Sequence, residues 1–188
     1  KSSVARMLAA LGAAVLDSDR MCHEEYGDPE VVATLKAWWG DRICRPDGQV
    51  QRAAIAEIVF GDPSELAKLE GLLYPRLARR RDELVAQYEA DPEVKAIVLD
   101  APKLFEAGLE GYCDSIIFVD CDWSTRVARV ASARGWTAEE LLRRENLLNP
   151  LDSKKTIADH VVVNHSTLVS LRAEVERVFS SVLATFTE

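Results

Sequence analysis

This sequence of 188 residues lacks several features that mark whole classes of protein. No apolar run approaches the length of about 20 residues that a membrane-spanning helix needs, and no signal-peptide pattern is present. The four cysteines are scattered, with neither a C-x-x-C pair nor histidines at metal-ligand spacing. That pattern favours free thiols in a reducing compartment over disulfides or zinc. We therefore expect a cytoplasmic protein without a membrane partner.

The chain also lacks an excess of positive charge. Its formal net charge of -8 at pH 7 argues against nonspecific binding to nucleic acid. Binding of any anionic ligand would therefore depend on basic residues gathered at one site. There are no internal repeats and no low-complexity tract, and the 48% hydrophobic content allows a real core. We expect one domain with inserted segments rather than two independent domains.

Four short, uninterrupted apolar segments are typical of strands that are buried on both faces of a parallel sheet. They are residues 13–16, 94–99, 115–119 and 160–163. Helical patterns lie between them. One runs from Ser2 to Leu11 and is closed by Gly12, while Asp122 and a capping box at Thr137 begin two more. This alternation predicts a three-layer α/β fold with a parallel sheet.

Helices also dominate the rest of the chain. Residues 21–90 offer no convincing strand and several helix starts, among them Asp28-Pro29 and Asp62-Pro63, so we interpret them as a helical insertion. Pro75 is expected to kink or split the longest helix there. An apolar stripe predicts a final long helix and comprises Leu168, Leu171, Val175, Val178, Phe179 and Val182.

The start of the chain has the composition of the end of a P-loop. Lys1-Ser2-Ser3 is followed by a helix, a strand and carboxylates. In a P-loop, a lysine reaches the β- and γ-phosphates and a Ser or Thr hydroxyl ligates magnesium. Taken alone, these three residues favour an ordinary helix start; the segments that follow along the chain favour the P-loop. Because no strand and no glycines precede Lys1, we expect the natural protein to extend upstream of it.

Carboxylates follow two of the predicted strands. Asp17 and Asp19 come after the first strand, and Asp100 ends the second. In an open α/β sheet the ligand crevice lies outside the carboxyl ends of the strands, so a carboxylate there could accept a proton. The alternative for the first pair is that one aspartate caps the next helix and the other is solvated.

Five arginines fall on the helical pair that is predicted after the third strand, at Arg126, Arg129, Arg134, Arg143 and Arg144. Guanidinium groups match phosphate oxygens and stay charged, so this pair is a candidate lid over ATP. The alternative is a solvated helix face with i,i+4 pairs such as Glu140 with Arg144. We favour Arg129 and Arg134 as the functional residues.

Segments along the whole chain resemble the dephospho-CoA kinase family. They are residues 1–6, residues 12–19 with His23-Glu24, Asp47-Gly48 ahead of Gln51-Arg52, and residues 59–63, 69–75, 99–109 and 154–164. Other small P-loop kinases lack the D-x-P-x-L-F-E and K-x-x-x-A-D-x-V-x-x-N segments together. The ordered set, rather than any one motif, carries the resemblance.

The resemblance implies a P-loop nucleotide kinase fold with three parts. The core would comprise residues 1–20, 91–125 and 148–188, the helical acceptor-binding domain residues 21–90, and the lid residues 126–147. The implied reaction transfers the γ-phosphate of ATP, with Mg²⁺, to the ribose 3'-hydroxyl of dephospho-CoA, the final step of coenzyme A biosynthesis. We expect a monomer or a weak homo-oligomer.

On the phosphate side, the resemblance implies roles for residues near the chain start and in the lid. Lys1 matches the P-loop lysine, Ser2 matches the hydroxyl that ligates magnesium, and Ser3 lies beside them at the nucleotide. Arg129 and Arg134 look like the lid arginines that contact phosphates.

On the acceptor side, Asp19 matches the proposed base that accepts the proton of the 3'-hydroxyl. His23, Arg52 and Asp100 would face the acceptor. Asn164 stands where the family places the loop beside the adenine of ATP.

Three positions depart from the family pattern. Tyr74, Lys103 and Leu148 stand where the family usually has His, Leu and Gln. These departures favour one alternative, a noncatalytic nucleotide-binding descendant. A second alternative is another small P-loop nucleotide or metabolite kinase, since the fold alone does not fix the acceptor. The long insertion favours an extended, pantetheine-bearing acceptor over a small one. The carboxylates and lid arginines favour an enzyme.

Overall fold

The computed structural model describes residues 1–165 and 167–186. The chain divides into two compact units, one made of Lys1–Val15 and Glu93–Glu188 and the other of Leu16–Pro92. Each unit has its own hydrophobic core. Among the described residues, no helix combines the length and the apolarity needed to cross a membrane.

The described residues form nine α-helices. They are α1 (Ser2–Ala10), α2 (Ser18–Glu25), α3 (Pro29–Trp39), α4 (Arg52–Gly61), α5 (Pro63–Glu89), α6 (Trp123–Arg134), α7 (Ala138–Glu145), α8 (Leu151–Ile157) and α9 (Leu168–Thr185). Short 3₁₀ helices lie at Asp41–Ile43 and Glu110–Tyr112.

Four strands in the described chain form two pairs. β1 (Ala13–Asp17) pairs with β2 (Ala96–Asp100), and β3 (Ile117–Asp120) pairs with β4 (His160–Val163). The second pair is parallel, and its register places Ile117 opposite His160. Each of the four predicted strands is present, with starts shifted by up to two residues.

Side-chain caps explain most helix starts. Asp28, Asp62, Asp122 and Thr137 each accept a hydrogen bond from a backbone N–H in the first turn of the following helix, and proline opens α3 and α5. These four starts were predicted from the sequence. At the end of α1, Gly12 has a φ of 103°, a conformation that a residue with a side chain rarely adopts.

The core of the first unit lies between its strands, α1 and α9. The buried side chains are Val4, Leu8, Ala13, Val162, Leu171, Val175, Val178 and Phe179. The predicted apolar stripe on α9 is wrong at its first member, because Leu168 is 70% exposed. Leu168 is the first residue of α9 and precedes the buried turn that Leu171 begins.

The second unit is helical, as the sequence predicted for this stretch. Its core comprises Val31, Leu35, Trp39, Ile43, Ile55, Val59, Leu69 and Leu73. Of the two outcomes expected at Pro75, a kink or a split, the split does not occur, since α5 is one continuous helix from Pro63 to Glu89. Tertiary contacts hold both sides of the proline: Leu73 is buried before it, and Arg76 after it pairs with Glu25 at 2.6 Å and Asp28 at 2.8 Å.

Candidate functional site

The beginning of α1 meets the carboxyl end of β2. Lys1 immediately precedes α1, and its Nζ donates to Oδ1 of Asp100 at 2.8 Å. Asp100 is the last residue of β2 and is well buried, whereas the lysine is half exposed. The sequence assigned these residues to opposite substrates, yet the fold brings them together. An ammonium has three donor hydrogens, so Lys1 can keep Asp100 and also donate to an anion.

The first turn of α1 carries two hydroxyl side chains. Ser2 and Ser3 are its first two residues, and Ser2 is exposed. This turn contains no acidic side chain, so the partial positive charge of the helix N-terminus is not compensated locally. Within the described residues, no group of three or more His, Cys, Asp or Glu could hold a metal ion. The hydroxyl of Ser2 is an oxygen donor of the kind that Mg²⁺ accepts beside ligand oxygens.

Two of the five lid arginines are fixed by contacts outside their own turn. Arg126 on α6 binds Glu145 on α7 through Nε at 3.0 Å and a second nitrogen at 3.2 Å. Arg129 donates through Nη1 to the backbone carbonyl of Asn164 at 2.8 Å and lies 3.6 Å from Sγ of Cys121. Burial raises the pKa of the Cys121 thiol, against the opposing effect of Arg129.

Of the other three arginines, two are paired with a carboxylate in the described chain and one is not. Arg143 and Arg144 both bind the carboxylate of Glu140, at 2.9 Å and 2.7 Å. This confirms the predicted i,i+4 pair of Glu140 with Arg144. Arg134 has no acidic partner in the described part of the chain, and its guanidinium lies 4.7 Å from the ring centroid of Trp136. The positive charge of Arg134 therefore remains available to a ligand.

Asn164 follows β4 and is buried. Its backbone N–H donates to the carbonyl of Asp120 at 2.7 Å, and its own carbonyl accepts from Arg129. Asp120 in turn binds Lys155 of α8. The segment after β4 is thus tied by its backbone to the end of β3 and to α6.

A buried ion pair lies in the same unit and was assigned no role from the sequence. Lys154 Nζ is 2.7 Å from Oε1 of Glu106, which also accepts from the backbone N–H of Asn149 at 2.6 Å. Burial opposes ionisation of Glu106, but these two donors outweigh it and lower the carboxyl pKa. Both charged residues stand in segments that carry the family resemblance, which was the available signal. Their pairing links the segment after β2 to α8.

In the second unit, Asp17 at the end of β1 and Asp19 in α2 have separate roles. Asp17 caps α2 by accepting from the backbone N–H of Arg20 at 2.9 Å. Asp19 lies in the first turn of α2 with an exposed side chain, and no described residue donates to its carboxylate. The structure therefore matches the alternative in which one aspartate caps the helix, and it leaves the other available to a ligand.

His23 and Arg52 line one cavity of about 370 Å³ in the second unit. Its other lining residues are Arg45, Gln49, Val50, Gln51 and Ala53. The guanidinium of Arg52 lies 5.9 Å from the ring centroid of Tyr26. Burial, together with Cys22, raises the pKa of Tyr26 to about 12, so the phenol stays neutral. Cationic and amide side chains in one cavity suit a polar, anionic ligand.

The sequence missed Arg45 and Gln49 as cavity residues. They follow a 3₁₀ helix and lie in an irregular segment, where neither helical nor strand periodicity predicts side-chain direction. The available signal was the turn at Asp47-Gly48, which reverses the chain direction and brings Arg45 beside Gln49. The N–H of Arg45 donates to the carbonyl of Gln49 at 2.8 Å.

Comparisons with known proteins agree on one family. A family model described as dephospho-CoA kinase matches residues 1–170. A dephospho-CoA kinase from Thermobifida fusca (strain YX) is 38% identical over 181 residues, which cover 95% of this chain and 88% of that protein. A dephospho-CoA kinase from Synechococcus sp. (strain CC9605) is 37% identical over 166 residues, covering 87% and 79%.

Two solved structures share the fold. The crystal structure of TT1252 from Thermus thermophilus has a TM-score of 0.83 at 31% identity and covers 100% of this chain and 92% of that one. The dephospho-CoA kinase from Campylobacter jejuni has a TM-score of 0.69 at 17% identity, with coverage of 99% and 92%. At that identity the second match shows the fold alone.

Proposed function

Since this chain belongs to the dephospho-CoA kinase family, we propose that it transfers the γ-phosphate of ATP to the 3'-hydroxyl of the ribose of dephospho-CoA and so forms coenzyme A. The observation that carries the proposal is the 38% identity to a dephospho-CoA kinase over 95% of the chain. The residues of each unit support it from their own chemistry.

We assign the donor phosphates to the first unit. Phosphoryl transfer depends on positioning and on neutralising charge more than on covalent help from the protein. Lys1, at the first turn of α1, supplies one positive charge, and Asp100 fixes the position of that charge through their 2.8 Å contact. The exposed hydroxyl of Ser2 is placed to hold Mg²⁺, which neutralises phosphate charge when bound. Ser3 adds a second hydroxyl to this turn.

We assign the lid to residues 126–147, with Arg134 as its phosphate-binding residue and Arg129 as its link to the core. Arg134 keeps an unneutralised charge among the described residues. Arg129 donates to a neutral backbone carbonyl at Asn164, so it remains a cation while it holds α6 to the segment after β4. Asn164 is assigned to the adenine side. The core is assigned to residues 1–20, 91–125 and 148–188.

We assign the acceptor to residues 21–90. Arg52 and Arg45 in the cavity are suited to the phosphates of dephospho-CoA, and His23 and the glutamines can hydrogen-bond its polar groups. The carboxylate of Asp19, which no described residue engages, is suited to accept the proton of the attacking 3'-hydroxyl.

The test is transfer of radiolabelled γ-phosphate from ATP by the natural full-length protein. Dephospho-CoA is compared with AMP, adenosine and a buffer blank as acceptors. We expect fast, magnesium-dependent labelling of dephospho-CoA alone. Preferential labelling of AMP or adenosine would instead identify a different small kinase. No labelling by a folded sample would identify a noncatalytic nucleotide-binding protein.

A further inference from the structure

The short connection between α6 and α7 holds an aromatic ring against two cations. Trp136 lies in this connection, with the guanidinium of Arg134 at 4.7 Å and that of Arg144 at 4.2 Å from its ring centroid. Its backbone is fixed: the N–H of Trp136 donates to the carbonyl of Val130 at 3.4 Å, and Gly135 has a φ of 67°. This helix ending directs the indole back against the last turn of α6.

The two cations at the ring are not equivalent. Arg144 is paired with Glu140 at 2.7 Å, and the backbone N–H of Glu140 donates to Thr137, which caps α7. Arg134 has no acidic partner among the described residues, so the ring is what holds it. An aromatic face attracts a cation through its quadrupole and does not neutralise the charge. All N–H donors of Arg134 therefore remain available to phosphate oxygens.

A second tryptophan, Trp123 at the start of α6, shows the contrast. The guanidinium of Arg126 lies 5.4 Å from the ring centroid of Trp123, but the same guanidinium makes two hydrogen bonds to Glu145. Removing the ring of Trp123 thus leaves Arg126 held by a carboxylate. Removing the ring of Trp136 leaves Arg134 without a partner in the described chain.

We propose that Trp136 is a positioning residue that holds Arg134 in the orientation in which it contacts the phosphates of ATP. The proposal rests on the proposed function, in which Arg134 binds those phosphates. A carboxylate at position 136 would also order Arg134, but it would compete with the nucleotide for the guanidinium. An aromatic ring orders the side chain and leaves its charge in place.

The primary test replaces Trp136 by leucine, which keeps an apolar side chain and removes the aromatic face. The strength of cation–π contacts, from exposed to desolvated, predicts that Trp136→Leu lowers kcat/KM for ATP by about 3- to 30-fold. The KM for dephospho-CoA should stay within about 2-fold. Trp136→Phe retains a face for the cation and should recover most of the loss. Thermal unfolding of each variant checks that it is folded.

A double-variant cycle tests whether the effect passes through Arg134. In an Arg134→Gln background, Trp136→Leu should have almost no further effect on kcat/KM for ATP, because the group that it positions is gone. The matched control is Trp123→Leu, which should change ATP kinetics by less than about 2-fold because Glu145 still holds Arg126.

Calorimetric titration with ATP and magnesium gives a readout that does not depend on turnover. The affinities for ATP should follow the same order as kcat/KM for ATP. Trp136→Leu should bind ATP more weakly than the parent protein, whereas Trp136→Phe and Trp123→Leu should bind it about as tightly as the parent does. If the parent protein binds ATP but transfers no phosphate to dephospho-CoA, the proposed function fails while this test still applies. Equal losses in the parent and Arg134→Gln backgrounds, or equal losses for the leucine and phenylalanine variants, would overturn the positioning role.

Discussion

The buried pair of Glu106 and Lys154 makes a prediction about stability that depends on pH. Lys154→Met removes the ammonium from a side chain that is only 9% exposed, while the Glu106 side chain is 16% exposed. Oε2 of Glu106 is buried without a hydrogen-bond partner in the described residues. After the substitution, one backbone N–H, from Asn149, is the remaining donor to the carboxylate.

The loss of stability in Lys154→Met is limited by the protonation of Glu106, which removes the unpaired negative charge. Breaking a buried pair costs about 3 to 5 kcal/mol, but the carboxyl group can take up a proton instead. With an ordinary pKa of 4.5 for glutamate, protonation at pH 7 costs about 3.4 kcal/mol, at 1.36 kcal/mol per pH unit. The retained Asn149 donor lessens the loss, so we expect about 2 to 3 kcal/mol at pH 7.

The pH dependence has opposite signs in the two proteins. In the parent, the lowered pKa of Glu106 means that the pair stabilises the fold above pH 4.5, and this contribution is lost as pH falls through the folded-state pKa. In Lys154→Met, burial without the ammonium raises the pKa of Glu106, so the variant regains stability as the pH falls. At pH 5 the protonation cost is about 0.7 kcal/mol, and the difference between the proteins should shrink accordingly.

Urea unfolding at pH 7 and pH 5 measures the loss of stability in Lys154→Met and the change of that loss with pH. The control is Lys155→Met, since Lys155 is the next residue on α8 and its pair with Asp120 is 46% exposed on the lysine side. An exposed pair contributes about 0 to 1 kcal/mol. The double variant Glu106→Gln/Lys154→Met should recover most of the loss. A loss for Lys154→Met that equals the control, or that is unchanged between the two pH values, would refute the reasoning.

Three further predictions concern the proposed active site and the second unit. Asp19→Asn should lower kcat by about 10²- to 10⁴-fold while leaving the calorimetric affinity for ATP nearly unchanged; retained kcat would exclude Asp19 as the base. Arg45→Ala should raise KM for dephospho-CoA by about 10-fold without changing KM for ATP, and equal changes in both would remove Arg45 from the acceptor cavity. Arg76→Met should destabilise the protein by about 1 to 3 kcal/mol in urea unfolding, because it breaks ion pairs with Glu25 and Asp28.

The features that the sequence predicted well depend on local chemistry. The strand at residues 160–163 was predicted with its observed bounds, because a strand buried on both faces is an unbroken apolar run. The starts of α3, α5 and α7 were predicted because their capping side chains act on N–H groups two or three residues away. The family and the fold were recognised from the order of such segments, and both are confirmed.

The errors arose where distant contacts decide the outcome. Pro75 removes a hydrogen bond within α5, but Leu73 and Arg76 beside it are held by other elements of the second unit, and the helix continues. Strand pairing is equally nonlocal, since the apolar texture of a strand does not identify its neighbour. The α/β fold with parallel strands was predicted correctly, but the sequence did not identify the pairs β1–β2 and β3–β4.

The site shows the same division between local and distant contacts. Asp17 and Asp19 were equally suited to capping α2 by their chemistry, and the geometry of one turn decided for Asp17. The pair of Lys1 with Asp100 joins residues 99 positions apart, and no spacing rule predicts such a contact. These residues were named as functional from the resemblance, while their contact required the fold.

The contacts of the lid arginines explain how an acidic protein can keep one positive charge available to an anionic ligand. Glu140 and Glu145 bind three of the five guanidinium groups, and a backbone carbonyl holds Arg129. In the described chain this leaves Arg134, held by an aromatic ring, as the lid cation most available to a phosphate. The net charge of -8 makes such a local site necessary for anion binding. Partners at i+3 and i+4 could be read from the sequence, but the pairing of Arg126 across two helices could not, and it is that pairing which distinguishes Trp136 from Trp123.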